Sequence, residues 1–247
     1  MKYTPLFLLV LVQGFSAFAA TKEFSVGDTL YVWANDGLVM RKEPKFDSPS
    51  LMKLDYGTAI VVIEKTGEEK EFVVASTLYR NQKTLPGISV FGGFVKIHYE
   101  GVEGFIFDGF LSRLAPLHDQ ESLDDYFKRI YGQLQTVDRS KKISEYVGYR
   151  FKRIIYKSGI ISEAEGGESW GRHLYFIPDI SVNEAYLLIN KSTNLAENYK
   201  RQRESATYFD QRIEKFTRNE IVIGYELGQQ TIQGGENHVL IISGFGN

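Results

Sequence analysis

Short apolar runs separated by turn residues are the feature that most constrains the fold of this chain. In the first half such runs alternate with Gly, Pro, Asp and Ser, at 29–33, 59–64, 72–76, 94–99 and 104–107. This spacing is typical of a small β-barrel or sandwich. Cysteine is absent from the 247 residues, so disulfides, thiolate nucleophiles and cysteine-held metals are excluded. The first half is therefore predicted to be a small β domain that depends on its apolar core.

A helix is predicted directly after residues 114–121, where the β pattern is interrupted. Ser122 is suited to cap this helix, because its hydroxyl can accept from a free backbone N–H of the first turn. The apolar residues that follow recur at helical spacing: Leu123, Tyr126, Phe127, Ile130, Tyr131 and Leu134. This stripe predicts one face that packs on a sheet.

From 145 onward the pattern returns to β. Strands are predicted at 147–156, 160–162, 173–177, 220–227 and 238–243. Residues 183–191 fit either a helix or a buried strand, and 193–218 fit either a helix or a long loop. The second half is therefore predicted to be a separate domain of α+β or β-rich type.

The N-terminus has the pattern of a bacterial export signal. Lys2 provides a positive start, residues 6–12 are an unbroken apolar run, and 17–19 (Ala-Phe-Ala) form a small-x-small cleavage site. The apolar run is shorter than the roughly 20 residues needed to cross a bilayer. Residues 1–20 are thus predicted to be a cleaved signal peptide, with a periplasmic or extracellular product and no stable membrane span.

Three sequence blocks occur in order within the first half. They are DGLVMRKEP at 36–44, LMKLDYGT at 51–58 and GFIFDGFL at 104–111. Together they resemble the bacterial Src homology 3 (SH3) domain, a small barrel found in cell-wall proteins. The resemblance covers about 27–114. This family joins its middle strands tightly, whereas residues 65–93 here form a long insertion that is predicted to build an extra hairpin.

The resemblance implies recognition of peptides or cell-wall stems through an aromatic-lined groove. The positions that it places in this groove are Tyr31, Trp33, Phe105, Phe107 and Phe110. Large apolar side chains on the outer face of a strand can form such a contact patch. The alternative is that these rings pack against the second domain or the insertion, in which case the barrel is a structural component of the envelope.

One serine in the second half fits a catalytic motif. Ser169 lies in Gly-Glu-Ser-Trp-Gly (167–171), which fits the nucleophile elbow of serine hydrolases. An elbow needs a helix after the serine, whereas 173–177 is predicted to be a strand. His98, His118, His173 and His238 show no metal-ligand spacing. No catalytic residue, metal site or cofactor is predicted, and a wall or ester hydrolase that uses Ser169 remains the alternative.

Composition limits the partners. The formal net charge is −2 and the isoelectric point about 6.1, so no overall positive field would attract nucleic acid. The predicted fold is mainly β with some helix: an SH3-like barrel at 21–114, able to fold alone, and an α+β or β-rich domain at 118–247. The predicted function is that of an exported, non-enzymatic binding protein whose partner is a peptidoglycan peptide or an envelope protein.

Overall fold

The computed structural model describes residues 24–80, 83–141, 148–204 and 211–246. The predicted fold class is confirmed, since a small β-barrel is followed by a second domain built on a large sheet. The signal peptide predicted at 1–20 lies outside the described residues.

The first region is a seven-stranded antiparallel sheet, with strand order β11-β1-β4-β9-β10-β2-β3. A 3₁₀ helix (Asp108–Phe110) precedes its last strand. The strands of this region and its insertion are β1 (Thr29–Val32), β2 (Leu38–Arg41), β3 (Ser50–Leu54), β4 (Ala59–Lys65), β5 (Lys70–Ala75), β6 (Leu78–Arg80), β7 (Lys83–Leu85), β8 (Ile88–Gly92), β9 (Phe94–Tyr99), β10 (Val102–Phe107) and β11 (Leu111–Ser112).

Alternation along the strands separates the barrel core from its outer face. On β2, Leu38 and Met40 are buried in the core, while Arg41 turns outward and donates to the carbonyl of Ser48. On β10, Ile106 belongs to the same core, whereas Phe107 on the opposite face belongs to a second apolar cluster. The barrel therefore has a core of its own and a separate outer apolar face.

The insertion at 65–93 forms an extra hairpin in two stages. Strands β5 and β8 pair near the barrel, and β6 and β7 pair further out. Gly92 allows the base of the hairpin to lie against the 3₁₀ helix, since a Cβ there would overlap the Asp108 carboxylate and come within 2.5 Å of the Gly109 nitrogen. The insertion is thus folded back on the barrel.

Helix α1 (Leu123–Tyr131) opens the second region. The Ser122 hydroxyl accepts from the Asp125 backbone at 3.2 Å, as the sequence predicts. The predicted stripe is wrong at its end: Gly132 adopts a positive φ of 69° and ends the helix, so Leu134 lies on a strand and is largely exposed.

The second sheet is antiparallel, with order β12-β13-β14-β15-β19-β18-β17-β16. Its strands are β12 (Gln133–Asp138), β13 (Arg150–Tyr156), β14 (Ile161–Gly166), β15 (Trp170–Pro178), β16 (Gln211–Phe216), β17 (Glu220–Tyr225), β18 (Gly228–Gly234) and β19 (His238–Gly246). The sequence pattern does not predict strand β12. Part of the strand predicted at 147–156 lies outside the described residues.

Two helices follow β15. The stretch at 183–191 is helical, within α2 (Val182–Thr193), and the capping box of Ser181 and Glu184 is formed. Part of 193–218 forms α3 (Leu195–Glu204). Helix α2 packs on β17, β18 and β19, and α1 packs on β13. Helices therefore cover one face of the second sheet.

A continuous apolar cluster joins the two regions. It contains Trp33 and Phe107 from the barrel, Ile88 from the insertion, and Tyr186 and Ile241 from the second region. Side chains that would face water in an isolated barrel are instead buried in this cluster. The two regions are therefore packed against each other.

Candidate functional site

The buried members of the predicted aromatic site are Trp33 and Phe107. Trp33 is 2% exposed, and its indole N–H donates to the carbonyl of Leu114 at 2.8 Å. Its ring also meets Tyr56 edge-on, with centroids 5.9 Å apart. Because a ligand cannot reach a side chain with so little exposed surface, Trp33 acts in this conformation as a packing residue.

A cluster of five phenylalanine rings occupies the outer face of the barrel. The rings of Phe107 and Phe110 lie 6.0 Å apart, and Phe46 lies 5.1 Å from both Phe107 and Phe94. Phe72, from the insertion, lies 5.2 Å from Phe110. This ring cluster (Phe46, Phe72, Phe94, Phe107 and Phe110) fills the face on which the sequence places a ligand groove.

Tyr31 and Phe105 are half-buried and pack against the edge of the shared apolar core. Together with Phe110 they are the predicted site residues that keep appreciable exposed surface. The structure therefore brings Phe107 and Phe110 into one ring cluster and places Tyr31 and Phe105 against the shared apolar core. Their assignment to a ligand stays a prediction.

A cleft of about 210 Å³ lies beside the ring cluster, where the insertion meets the second region. Strand β8, the 3₁₀ helix, the first turn of α2 and the β16–β17 turn form its walls. Phe91 and Phe216 contribute aromatic surface, and Lys65, Asp108 and Arg218 contribute charge. The cleft therefore combines an apolar wall with charges of both signs.

An ion pair joins the two regions at this cleft. The Arg218 guanidinium donates to Glu69 at 2.5 Å and lies over the Phe91 ring, 4.6 Å from its centroid. Both partners of the ion pair are about half exposed, so the pair itself contributes little stability. A stacked guanidinium keeps further N–H donors that a carboxylate ligand can accept from.

The floor of the cleft is held by partly buried hydrogen bonds. Asp108 accepts from the Gly93 backbone at 2.6 Å, which fixes the end of the insertion. The Asn183 amide donates to the Gly109 carbonyl at 2.7 Å, which ties α2 to the 3₁₀ helix. The shape of the cleft thus depends on contacts between the barrel, its insertion and α2.

The weak catalytic candidate lacks the geometry of an elbow. Ser169 lies in the turn between β14 and β15, and the segment that follows it is a strand. An elbow needs a helix there. His98 lies on β9, His118 in the linker, and His173 and His238 on β15 and β19. In the part of the chain that the structure describes, His, Asp and Glu side chains do not gather in threes to hold a metal ion.

The fold and the site define a small β-barrel of the kind used for binding, packed against a larger antiparallel sheet domain. Residues 36–112 match the family described as the bacterial SH3 domain, as the three sequence blocks indicate, and the rest of the chain matches no family. No curated protein and no solved structure matches the chain significantly. Within the described ranges, none of the helices is long and apolar enough to span a bilayer.

Local sequence patterns do not predict the cleft as a unit. Asp108 lies inside one of the blocks that carry the resemblance, and Phe91 lies in the insertion, so both are close to recognised features. Arg218 follows Glu69 by 149 positions in the chain, and no local pattern connects them. Only the packing of the second region on the barrel brings these residues together.

Proposed function

We propose that this chain is an exported, non-catalytic binding protein of the bacterial envelope, and that it recognises a cell-wall stem peptide in the cleft between the barrel and the second region. The bacterial SH3 domain supports a binding or wall-associated role, since such domains often bind peptidoglycan or proteins. The observation that carries the location of the site is the ring cluster, which occupies the outer face of the barrel.

The chemistry of the cleft suits a short peptide with charges of both signs. A stem peptide carries free carboxylates, which can accept from the Arg218 guanidinium, and an amino group, which can donate to Glu69. Its aliphatic side chains can lie against Phe91. An apolar wall with a few polar groups that fix orientation is the usual composition of a small-ligand site.

Export and the absence of catalysis are two further parts of the proposal. Export is supported by the signal pattern at 1–20. The absence of catalysis is supported by the position of Ser169 in a hairpin turn. Turnover of ester or muropeptide substrates that is lost in Ser169→Ala would refute this part and establish the hydrolase.

The test is co-sedimentation of the protein lacking residues 1–20 with purified peptidoglycan sacculi. Arg218→Ala and Phe91→Ala are expected to weaken binding at least about tenfold, since each removes a contact to charge or apolar surface. Tyr79→Ala is the matched control, because Tyr79 is a largely exposed aromatic residue outside the cleft. This control should bind like the wild type.

Phe105→Ala distinguishes the cleft from the barrel face. Phe105 is half-buried on strand β10 of the barrel and does not line the cleft. Sedimentation that is lost in Phe105→Ala and kept in Arg218→Ala would move the site to the barrel face. A folded wild type that stays in the supernatant would refute wall recognition and direct the search to partner proteins.

A further inference from the structure

A second groove, of about 740 Å³, lies on the second sheet and is separate from the cleft. It occupies the helix-packed face of the sheet at the end that the helices do not reach. The register shows this arrangement. Tyr175 and its cross-strand partner Ser162 are buried, and Tyr175 packs against Phe127 of α1. The next pair along the same face, His173 and Ala164, already lines the groove.

Glycines leave room for large rings at the outer end of this face. Gly171 stands opposite Gly166 on one side and Phe245 on the other, and cross-strand partners share a face of the sheet. A Cβ on Gly171 would lie 2.5 Å from the Phe245 ring, so only glycine lets that ring lie over the sheet. Trp170 directly precedes Gly171 and so leaves the strand on the other side, at the end of the β14–β15 hairpin, where its ring would lie 2.7 Å from a Cβ on Gly167. The Trp170 ring nevertheless lines the end of the groove.

Large apolar side chains at this end are exposed. Phe245 is 62% and Trp170 is 42% exposed, and Leu227 beside them is also largely exposed. All three line the groove, so the exposed apolar surface is contiguous instead of scattered. The groove is concave, and its volume of about 740 Å³ falls within the range of about 300–1,000 Å³ that is usual for small-molecule sites.

The charge in the groove is positive at its outer end. Arg150 stands opposite Gly166, at the same level as Phe245. Lys152 stands opposite Asp138, which offsets its charge. Among the described residues no carboxylate pairs with Arg150, so its guanidinium is available to an anion.

The inner end of the groove is neutral and fixed. The His173 ring packs against Tyr175 at a tilt of 32°, with centroids 4.3 Å apart, and its Nε2 lies 2.9 Å from the Ser162 hydroxyl. Burial lowers the pKa of His173, which favours the neutral imidazole. On the neighbouring strand, Ser243 accepts from the Gln230 amide at 2.8 Å. The polar groups at this end are therefore already paired.

We infer that this groove binds an amphipathic carboxylate, a single apolar chain whose carboxylate pairs with Arg150 while the chain lies over Trp170 and Phe245. Charge complementarity selects this ligand, because most of the groove surface is apolar and Arg150, at the outer end, is the lining cation without a carboxylate partner among the described residues. The groove is concave, which suits one inserted chain better than the flat surface of a bilayer. An uncharged sugar would bring no carboxylate to Arg150, which lacks one among the residues that the structure describes. This site is independent of the proposed function of the cleft.

The test is calorimetric titration of the protein lacking residues 1–20 with sodium decanoate below its micellar concentration. Saturable binding at one site is expected, and decyl maltoside, which has the same chain and an uncharged head, should bind at least about tenfold more weakly. Trp170 is the exposed member of only two tryptophans, so decanoate should also change the tryptophan fluorescence, and Trp170→Phe should abolish that change.

Two variants separate the chain from the head group. Phe245→Ala should lower the affinity for decanoate at least about tenfold, since it removes much of the apolar contact with the chain. Arg150→Gln should remove the preference for decanoate over decyl maltoside. Both side chains are exposed, so circular dichroism should match the wild type. Tyr79→Ala, an exposed aromatic outside the groove, should leave the affinity unchanged.

Four results would overturn the inference. The first is the absence of saturable decanoate binding, and the second is equal decanoate affinity in the wild type, Phe245→Ala and Arg150→Gln. The third is equal affinity of the wild type for decanoate and for decyl maltoside. The fourth is sedimentation with phosphatidylglycerol vesicles by a protein that does not bind decanoate. The last result would assign the exposed rings to a membrane surface.

Discussion

Replacing Glu184 with alanine tests whether the barrel and the second region are held together as described. Glu184 is the third residue of α2 and is 1% exposed. Its carboxylate accepts from the Ser112 hydroxyl at 3.0 Å and from the Arg113 backbone N–H at 2.9 Å, both at the end of the barrel. It also accepts from the Ser181 backbone at 3.0 Å and completes the capping box. One side chain thus connects the last barrel strand with α2.

The expected loss follows from these contacts. A hydrogen bond to a charged group contributes about 1.5–3 kcal/mol, and removing one partner of a buried charge pair costs about 3–5 kcal/mol. The charge pair in question joins the Glu184 carboxylate to the Arg113 guanidinium at 3.4 Å. Arg113 is 22% exposed and keeps contacts with Asp28 at 3.5 Å and with the Phe24 ring at 4.5 Å, so the lower end applies. Glu184→Ala should therefore lower the free energy of unfolding by about 3 kcal/mol. For a chain of this size that is about 6–12 °C in Tm.

Urea unfolding, followed by circular dichroism and by tryptophan fluorescence, measures the loss. Trp33 lies in the shared core, so its signal reports on the contact between the two regions. Glu103→Ala is the matched control, because Glu103 forms a more exposed ion pair with Lys96 and should cost less than about 1 kcal/mol. A loss in Glu184→Ala no larger than that of Glu103→Ala would refute the reasoning.

Three further predictions concern the insertion, acid stability and the isolated barrel. Gly92→Ala should lower the free energy of unfolding by more than about 2 kcal/mol in urea, since the new Cβ meets the backbone of Gly109; a smaller loss would show that the insertion can shift. The hydrogen bond from Arg129 lowers the pKa of Glu121 to about 2. This pair therefore stabilises the fold at pH values above the unfolded-state pKa of about 4.5, and that stabilisation is lost as the pH falls from about 4.5 toward 2. Because Arg129 is about one-third exposed, Glu121→Gln should remove no more than about 1 kcal/mol of this pH dependence in unfolding measured between pH 2 and 6. The fragment 21–114 should unfold cooperatively, because the barrel has its own core. It should bind more anilinonaphthalene sulfonate than the full chain, because it exposes the barrel side chains of the shared cluster. A circular-dichroism spectrum typical of a molten globule would contradict this prediction.

The parts of the fold that the sequence predicts correctly are those set by local pattern. The three blocks predict the barrel because alternation and turn glycines act over a few residues, as at Leu38, Met40 and Gly57. The start of α1 follows from the Ser122 cap in the same way. Leu134 fits the helical stripe by spacing, but Gly132 ends the helix before it. Spacing alone does not show where a helix ends.

The candidate sites depend on contacts between residues far apart in sequence. Arg218 reaches Glu69 and Phe91 only because the β16–β17 turn packs against the insertion. In the second groove, Arg150 and Phe245 reach the same level of the sheet through the register of three strand pairs. Exposed Trp170 is visible in the sequence, but its neighbours are set by register, which sequence patterns do not give for an unfamiliar sheet.

The departure from the SH3 family pattern explains why the barrel face is filled and where the cleft lies. A tight connection between β4 and β9 could not carry a ring across the barrel, whereas the insertion brings Phe72 onto Phe110 and Phe107. The same insertion supplies Glu69 and Phe91 to the cleft, and the second region completes that cleft with Arg218. Recognition in the cleft should therefore require the two regions to be docked, whereas the groove is built from the second region alone. A variant that loosens the docking, such as Glu184→Ala, should weaken sedimentation with sacculi and leave decanoate binding intact. Equal loss of both activities would mean that the two sites are coupled through the shared core.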